Sequence, residues 1–572
     1  MSTRHQLSKS KKVFILGLDG ATFNILKPML EKGRLPTFSR IIKEGSHCEL
    51  NSTIISNSAP AWTSFATGKN PGKHSISGFT RLLPNSYQLK LLRGGDNRAK
   101  SLWELLGEHG KQSIVMNIPM TYPPKKINGI LISGLDTPSI KSNFTHPPEL
   151  KEELLKVVPD YKINLHLGGY LHNNRRRKKA IDIMLSSIRA REKAVLYLME
   201  QYPWDLFAVR FNSPDNVQHQ FWRFMDKNHP YYDPDSPEQI KNAIYTVYEE
   251  LDRTAATILR NLPEGTTLLV MSDHGAGPRT NKTIRLNEWL QSLGYLSSKA
   301  SQKRYKNTVY KFMEKTLATL LKRVPPDLKQ TLMKVFPDTI SKTWTYFRFP
   351  NIDWAKTKAF VGETEGIRIN LKGRYPQGIV EINEYEPLRD YIIREVKRLK
   401  DPETGENVIK HAWKREEIFS GPYVQEFPDI ITIPTKDQYN ISSRISQKGV
   451  EKSPRKTFIA REEHWRKVSG SHRQEGIFII RGPEIKKNVE IPKSEIMDVF
   501  PTVLYLMGLP VPSDVDGRVI TKSFLEEIVA TNPVRYEDVN NTGKAMKDTQ
   551  DEYTQEDTDK LVDNLRGLGY IE

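Results

Sequence analysis

Three apolar runs, far apart in the chain, each close on a carboxylate. KKVFILGL stops at Asp19-Gly20, WDLFAVRFN (204–212) is followed by Asp215, and TTLLVM runs into Ser272-Asp273-His274. Neighbouring side chains of a strand point to opposite faces. Asp273 and His274 can therefore share a site only where the strand has ended, and Gly275 and Gly277 permit that turn. Ligands of open α/β sheets collect beyond the carboxyl ends of strands. QSIVMNIP (112–119), GILISGL (129–135) and residues 477–481 read as further buried strands, and residues 22–44 and 179–201 as helices between strands. Strands alternating with helices predict an α/β fold, with a largely parallel sheet covered on both faces.

The rest of the composition narrows the chemistry. The 572 residues allow one large α/β domain with insertions or several domains, and 37% hydrophobic against 27% charged residues is a soluble balance. No apolar run approaches the roughly 18 residues that a membrane span needs. The run after the basic MSTRHQLSKSKK is too short for a signal segment, so a cytoplasmic location is expected. Cys48 is the single cysteine, which excludes an internal disulfide and a cysteine-based zinc ribbon. A metal would have to be held by His, Asp or Glu. The formal net charge of +18 is concentrated in 173–179, 302–343 and 444–470. It reads as a solvated basic surface, or as a field for an anionic substrate, an anionic membrane surface or nucleic acid. No specific nucleic-acid motif accompanies it, and no feature specifies an oligomeric state.

Residues 1–12 read as a basic tail and 13–296 as the first part of a catalytic domain. A helical cap insertion is expected over 297–355, and the second part of the domain over 356–530, with 400–415 as a surface excursion. Residues 531–572 read as a polar tail, with a disordered linker at 536–558 and a short terminal helix.

Asp215 and His219 stand four apart, on one face of a helical turn. His472 lies in the Gly/Ser-rich VSGSHRQEG before another strand. Singly, Asp19 reads equally as a turn residue, His219 as a histidine on an amphipathic helix and His472 as a loop histidine. Together with Asp273 and His274 they are the inventory that two divalent cations about 4 Å apart require. A hydroxyl is at hand in ISNSAPAWTSFATG, where Ser58 falls at a helix start. It could be an N-cap or a nucleophile seated where the helix dipole favours an anion.

ILGLDG, SAPAWTSFATGKNPGKHSI, DNVQHQFW, SDHGAGP and GSHRQEGIFIIRGPEI, with MDVFPTVLYLMGLPVPSDVDGRVI after them, resemble the type I phosphodiesterase/nucleotide pyrophosphatase branch of the alkaline phosphatase superfamily. They occur in that family's order and cover about 13–525 apart from the insertions. The resemblance implies a three-layer α/β/α sandwich with a mixed, mostly parallel central sheet and helical insertions. It also implies a hydrolase of anionic phosphate esters with two divalent metal ions, zinc or manganese. Ser58 would be the nucleophile, where these enzymes usually carry threonine. Asp19, Ser58, Asp273 and His274 would hold one metal, and Asp215, His219 and His472 the other.

The chain departs from its relatives at two places. Ala61 stands where nucleotide pyrophosphatases often place a phosphate-binding Asn, and no Arg follows Ser58 closely as in many monoesterases. Trp62 occupies the position of the Arg that sulfatases require. The alternatives are a phosphomonoesterase, phosphonate hydrolase or phosphomutase on the same fold, or a non-catalytic basic anion-binding protein on a hydrolase scaffold.

Overall fold

A computed structural model describes residues 11–165, 167, 170–299, 352–362, 366–435, 439–443, 445, 458–461, 468–538, 553 and 555–567. The organising element is a ten-stranded sheet. In chain order its strands are β1 (Val13–Leu18), β2 (Ser46–Asn51), β3 (Ser113–Met116), β4 (Gly129–Ile132), β5 (Thr145–His146), β6 (Leu206–Phe211), β7 (Thr267–Met271), β8 (Glu475–Arg481), β9 (Val489–Glu490) and β10 (Ser494–Glu495). Across the sheet they lie in the order β9-β2-β8-β7-β1-β6-β3-β4-β5, with β10 also paired to β2. Strands β7, β1, β6, β3 and β4 are mutually parallel. β8 runs antiparallel to both β7 and β2, and β5 antiparallel to β4. The sheet is therefore mixed and mostly parallel.

The period of two along β1 serves two cores. Phe14, Leu16 and Leu18 join one apolar cluster, which includes Ile188 and Leu198 of the helix Asn174–Gln201 and Val247 and Leu251 of the helix Ala243–Asn261. Val13 and Ile15 join the other, with Trp62 and Phe65 of the helix Ser58–Thr67 and Val503 of the helix Val499–Leu506. Helices thus cover both faces, which gives the expected three layers. The helix expected over 22–44 is two helices, Phe23–Glu31 and Pro36–Lys43. Gly33 between them has φ +67°, and Pro36 opens the second.

Residues 359–434, expected within the second part of the catalytic domain, build a four-stranded sheet of their own. Its order is Ala359–Val361, Gly366–Ile369, Ile430–Pro434, Ile409–Lys414, antiparallel throughout. The helix Ile382–Lys397 packs on it around Leu388, Ile392 and Val396. The excursion expected at 400–415 thus ends in a strand, whose Ile409 and Ala412 are buried. Of the helical cap expected at 297–355, residues 300–351 lie outside the described residues, as do 1–10 of the basic tail and 539–552 of the linker. The helix Gln555–Gly567 closes the described chain. Among the described residues, no helix is long and apolar enough to cross a membrane.

This second lobe is tied together by a buried ionic knot. Asp429, fully buried, accepts from Arg374 Nη1 and Nη2 at 2.8 and 2.6 Å and from the Ile369 N–H at 2.6 Å, with Arg415 Nη1 at 3.0 Å. Burial alone would raise its carboxyl pKa, but Arg374 and Arg415 outweigh burial and hold it below the usual range. Asp429→Ala leaves those guanidinium groups uncompensated, and we expect a loss of about 3–5 kcal/mol in thermal or denaturant unfolding. A carboxyl depressed in the folded state stabilises above its unfolded pKa and loses that contribution as pH falls. The gap between wild type and variant should therefore stay constant from neutral pH and narrow below about pH 4.

Candidate metal centre

The carboxyl ends of β1, β6 and β7 lie side by side, so their following residues meet. Asp19 directly follows β1. Asp215 and His219 lie in the helix Ser213–Met225, which begins two residues after β6. Asp273 and His274 fill the turn between β7 and a short strand, Gly275–Pro278. That strand pairs antiparallel with Gly470–Arg473, placing His472 opposite Ala276. His472, expected in a loop, is thus held on a strand. A second tie fixes it, because the Ser469 N–H donates to the His219 carbonyl at 2.6 Å.

All six expected side chains and Ser58 come together. Asp19, Asp273 and His274 form one triad and Asp215, His219 and His472 another, with ligand atoms in each within 4.8 Å of one another. The two triads touch where the His274 and His472 rings stack, centroids 3.8 Å apart. Ser58 Oγ lies 3.1 Å from His274 Nε2.

Ser58 is the first residue of its helix and not the cap. The Asn57 side chain caps, accepting from the Ala59 N–H at 3.2 Å. Pro60 sits in the first turn, where a missing N–H costs nothing. Gly68 ends the helix in the left-handed conformation. Beyond it, Lys73 pairs with Asp516 at 2.6 Å and Asp516 accepts the Asn70 N–H at 2.8 Å. Both ends of the helix are thereby fixed.

The imidazoles are set in one tautomer. Each Nδ1 faces a backbone carbonyl, which can only accept: His219 faces Gly470 at 3.0 Å, His472 faces Ser56 at 2.8 Å and His274 faces Gly275 at 3.0 Å. Nδ1 therefore carries the proton, and in the neutral ring Nε2 offers a lone pair, the arrangement that orients metal-binding histidines. His219 Nε2 and His472 Nε2 then face each other at 2.9 Å. Two lone pairs at that distance repel unless a cation or a proton lies between them.

The carboxylates make the same demand. Asp19, Asp215 and Asp273 are buried, and Arg210 bonds Asp19 through Oδ2. Trp62 Nε1 donates to that same oxygen at 3.3 Å, and the Gly20 N–H donates to Asp273 Oδ1 at 3.2 Å. The other oxygens, Asp19 Oδ1 and Asp273 Oδ2, accept no hydrogen bond. Asp19 and Asp273 are thus each anchored through one oxygen while the other turns inward. Two glycines make room for this. Gly20 has φ +67°, and a Cβ at Gly17 would come within 2.6 Å of the Trp62 ring.

Protons are drawn to the same atoms. Burial pushes the Asp19 carboxyl up to about 7, with Arg210 opposing and Asp273 and Asp215 adding to the rise. Burial would lower His274, but Asp273 and Asp19 outweigh it and raise the imidazole. Burial takes His472 down to about 3, and His274 pushes the same way. Burial would raise Asp215, but His219 and His472 hold it well below the carboxylate range. Inward-turned carboxylate oxygens and imidazole lone pairs fit two divalent cations, one per triad.

Sequence reasoning missed Arg210 and assigned Trp62 no part in the site. Arg210 carried a signal: a lone charge inside the apolar run LFAVRF requires a buried acid as partner. Trp62 carried none, because its indole meets Asp19 only through the tertiary fold.

Residues 13–466 match the family described as type I phosphodiesterase / nucleotide pyrophosphatase. No curated protein sequence matches the chain. Among solved structures, phosphonoacetate hydrolase from Sinorhizobium meliloti 1021, in complex with phosphonoformate, aligns with TM-score 0.51 at 14% identity, covering 87% of this chain and 95% of that one. A quadruple mutant of the alkaline phosphatase PafA aligns with TM-score 0.51 at 14% identity, covering 91% and 100%. Human ectonucleotide pyrophosphatase / phosphodiesterase 5 aligns with TM-score 0.46 at 12% identity, covering 87% and 95%. At 14% identity, the likeness to the two structures aligned at TM-score 0.51 is one of fold.

The two triads can be separated by experiment. The purified protein should carry about two equivalents of divalent metal by elemental analysis, one for each closed ligand set. Asp273→Asn and His472→Ala should each reduce the content toward about one equivalent, by weakening different sites. Retention of both equivalents in either variant would remove that residue from the ligand set.

Proposed function

We propose, on the premise that this chain belongs to the type I phosphodiesterase / nucleotide pyrophosphatase family, that this phosphoric ester hydrolase cleaves phosphate diesters with Ser58 as covalent nucleophile. The observation that carries the reading is the position of Ser58. Its Oγ lies 3.1 Å from His274 Nε2, beside the Asp19-Asp273-His274 triad and at the first residue of a ten-residue helix. The positive end of that helix faces the place where a phosphoryl group must sit for attack.

Asp19, Asp273 and His274, with Ser58, would hold one cation, and Asp215, His219 and His472 the other. The mixed oxygen and nitrogen ligands suit zinc, with manganese as the alternative. The cations would supply the positive charge that favours the Ser58 alkoxide and the departing oxygen. The protein does the rest. Asn57 and Pro60 set the start of the helix, so Oγ is aimed by backbone and not by a mobile loop. Attack forms the Oγ–P bond as the bond to the leaving oxygen breaks on the opposite side of phosphorus. Water then cleaves the phosphoseryl ester and restores the hydroxyl. The Ser58 proton leaves on the released alcohol. One water is consumed, one of its protons restoring the Ser58 hydroxyl and the other staying on the product monoester or passing to solvent. Ala61, in place of an amide side chain, leaves phosphate recognition to charge and to the helix start.

Ser58→Ala should abolish turnover by several orders of magnitude, with a residual rate from the remaining electrostatics. The assay is a screen of chromogenic diesters, monoesters, phosphonates and sulfate esters, run with metal analysis and a melting curve. Metal content should fall only modestly and the fold should persist, since the helix cap is Asn57. A folded, metal-loaded Ser58→Ala protein that keeps most of its diesterase activity would reject the covalent route in favour of direct attack by water.

A further inference from the structure

A β-branched residue with a positive φ stands in the link 52–57, between the end of β2 at Asn51 and the helix that begins at Ser58. Ile55 has φ +69°. Branched side chains rarely enter that region, because Cβ crowds the backbone. Such a conformation persists only where its surroundings impose it.

The neighbouring chain sets the requirement. β2 pairs antiparallel with β8, and Asn51 faces Glu475. The register holds for one residue beyond the strands, since the Ser52 N–H donates to the Gln474 carbonyl at 2.8 Å. Each residue forward on one chain answers one residue back on the other, so position 54 would face His472. Instead it is the Ser56 carbonyl that accepts from His472 Nδ1, at 2.8 Å. The link thus holds two residues more than the register needs. The chain bends at Ile54 and Ile55 to take up the surplus, in the manner of a bulge. Two contacts hold the bend. The Thr53 hydroxyl donates to the Ile55 carbonyl at 3.1 Å. The Ile54 and Ile55 side chains pack against Phe419, Val424, Phe427 and Ile431 of the second lobe.

We infer that Ile55 is a positioning residue for His472: the second lobe holds it left-handed, and the bulge so formed aims the Ser56 carbonyl at Nδ1. This rests on the reading of Asp215, His219 and His472 as ligands of one cation. Without that acceptor the His472 ring can place its proton on Nε2, which removes the lone pair facing His219. Completion of this cation site therefore depends on the seating of a lobe that supplies no residue to either triad.

Alanine and glycine at position 55 separate this role from plain packing. Both remove the grip of the lobe, but glycine takes a positive φ readily and alanine does not. Release of zinc from the loaded full-length protein into a competing chelator reads the affinity of each equivalent. Ile55→Ala should weaken one of the two equivalents by about tenfold, and Ile55→Gly should bind more tightly than Ile55→Ala. In a His472→Ala background, Ile55→Ala should leave the remaining equivalent unchanged. A melting curve accompanies each variant. If Ile55→Ala does not fold, Thr53→Val, which exchanges the hydroxyl tie for a methyl, should weaken the same equivalent and carries the test. Unchanged affinity in a folded variant, equal weakening of both equivalents, a glycine variant weaker than the alanine variant, or a further loss in the His472→Ala background overturns the inference and leaves the metal reading intact. A wild-type protein that retains no zinc defeats that reading and this inference with it.

Discussion

Three carboxylates removed from water govern the architecture around them. An isolated carboxylate in a protein interior is too costly to persist without a partner. Asp19, Asp215 and Asp273 are at most 2% exposed, and the Arg210 guanidinium bonds one of them. The remaining demand for positive charge is what the paired triads are built to satisfy. Asp19 and Asp273 each spend one oxygen on a fixed donor, and each imidazole spends Nδ1 on a carbonyl. The inward atoms are thus preorganised, and reorganisation on cation binding is small.

That geometry depends on pairing between segments remote in sequence. β1, β6 and β7 are adjacent only through long crossovers, and His472 reaches the site because 470–473 pairs with 275–278. Between those two hairpin strands the chain leaves to build the second lobe. The lobe returns to touch the site from the other side. Phe419, Val424, Phe427 and Ile431 pack with Ile54 and Ile55, just ahead of Ser58, and the Tyr423 N–H donates to the Gly72 carbonyl. The segment leading into the Ser58 helix is therefore held between the main sheet and this lobe.

Much of this was legible in the sequence, for a physical reason. A buried parallel strand must be apolar throughout, so an acid at its end stands out, as at Asp19 and Asp273. The 3.6-residue period puts Asp215 and His219 on one face without further knowledge. The second lobe was not legible, because short strands such as Ala359–Val361 and Gly366–Ile369 acquire identity only from their partners. Asp429 illustrates the same limit: DIITIP looks like one more strand led by an acid, yet that acid serves Arg374 and Arg415 and not the metal centre. An acid beside a strand signals a buried charge. Whether its partner is an arginine or a cation is decided by tertiary packing.

The sign of the charge also orders events at the site. The chain as a whole carries a formal +18, a balance that would attract an anionic ester over a distance set by the ionic strength. Within the centre acids gather instead: Asp19, Asp215 and Asp273 are buried together, with Arg210 on Asp19. An anionic ester approaching Ser58 without cations in place would meet net repulsion over a few ångströms in a water-poor site, where charges are weakly screened. If the sites hold cations as proposed, the same acids that bind them would repel an anionic ester until those cations are in place.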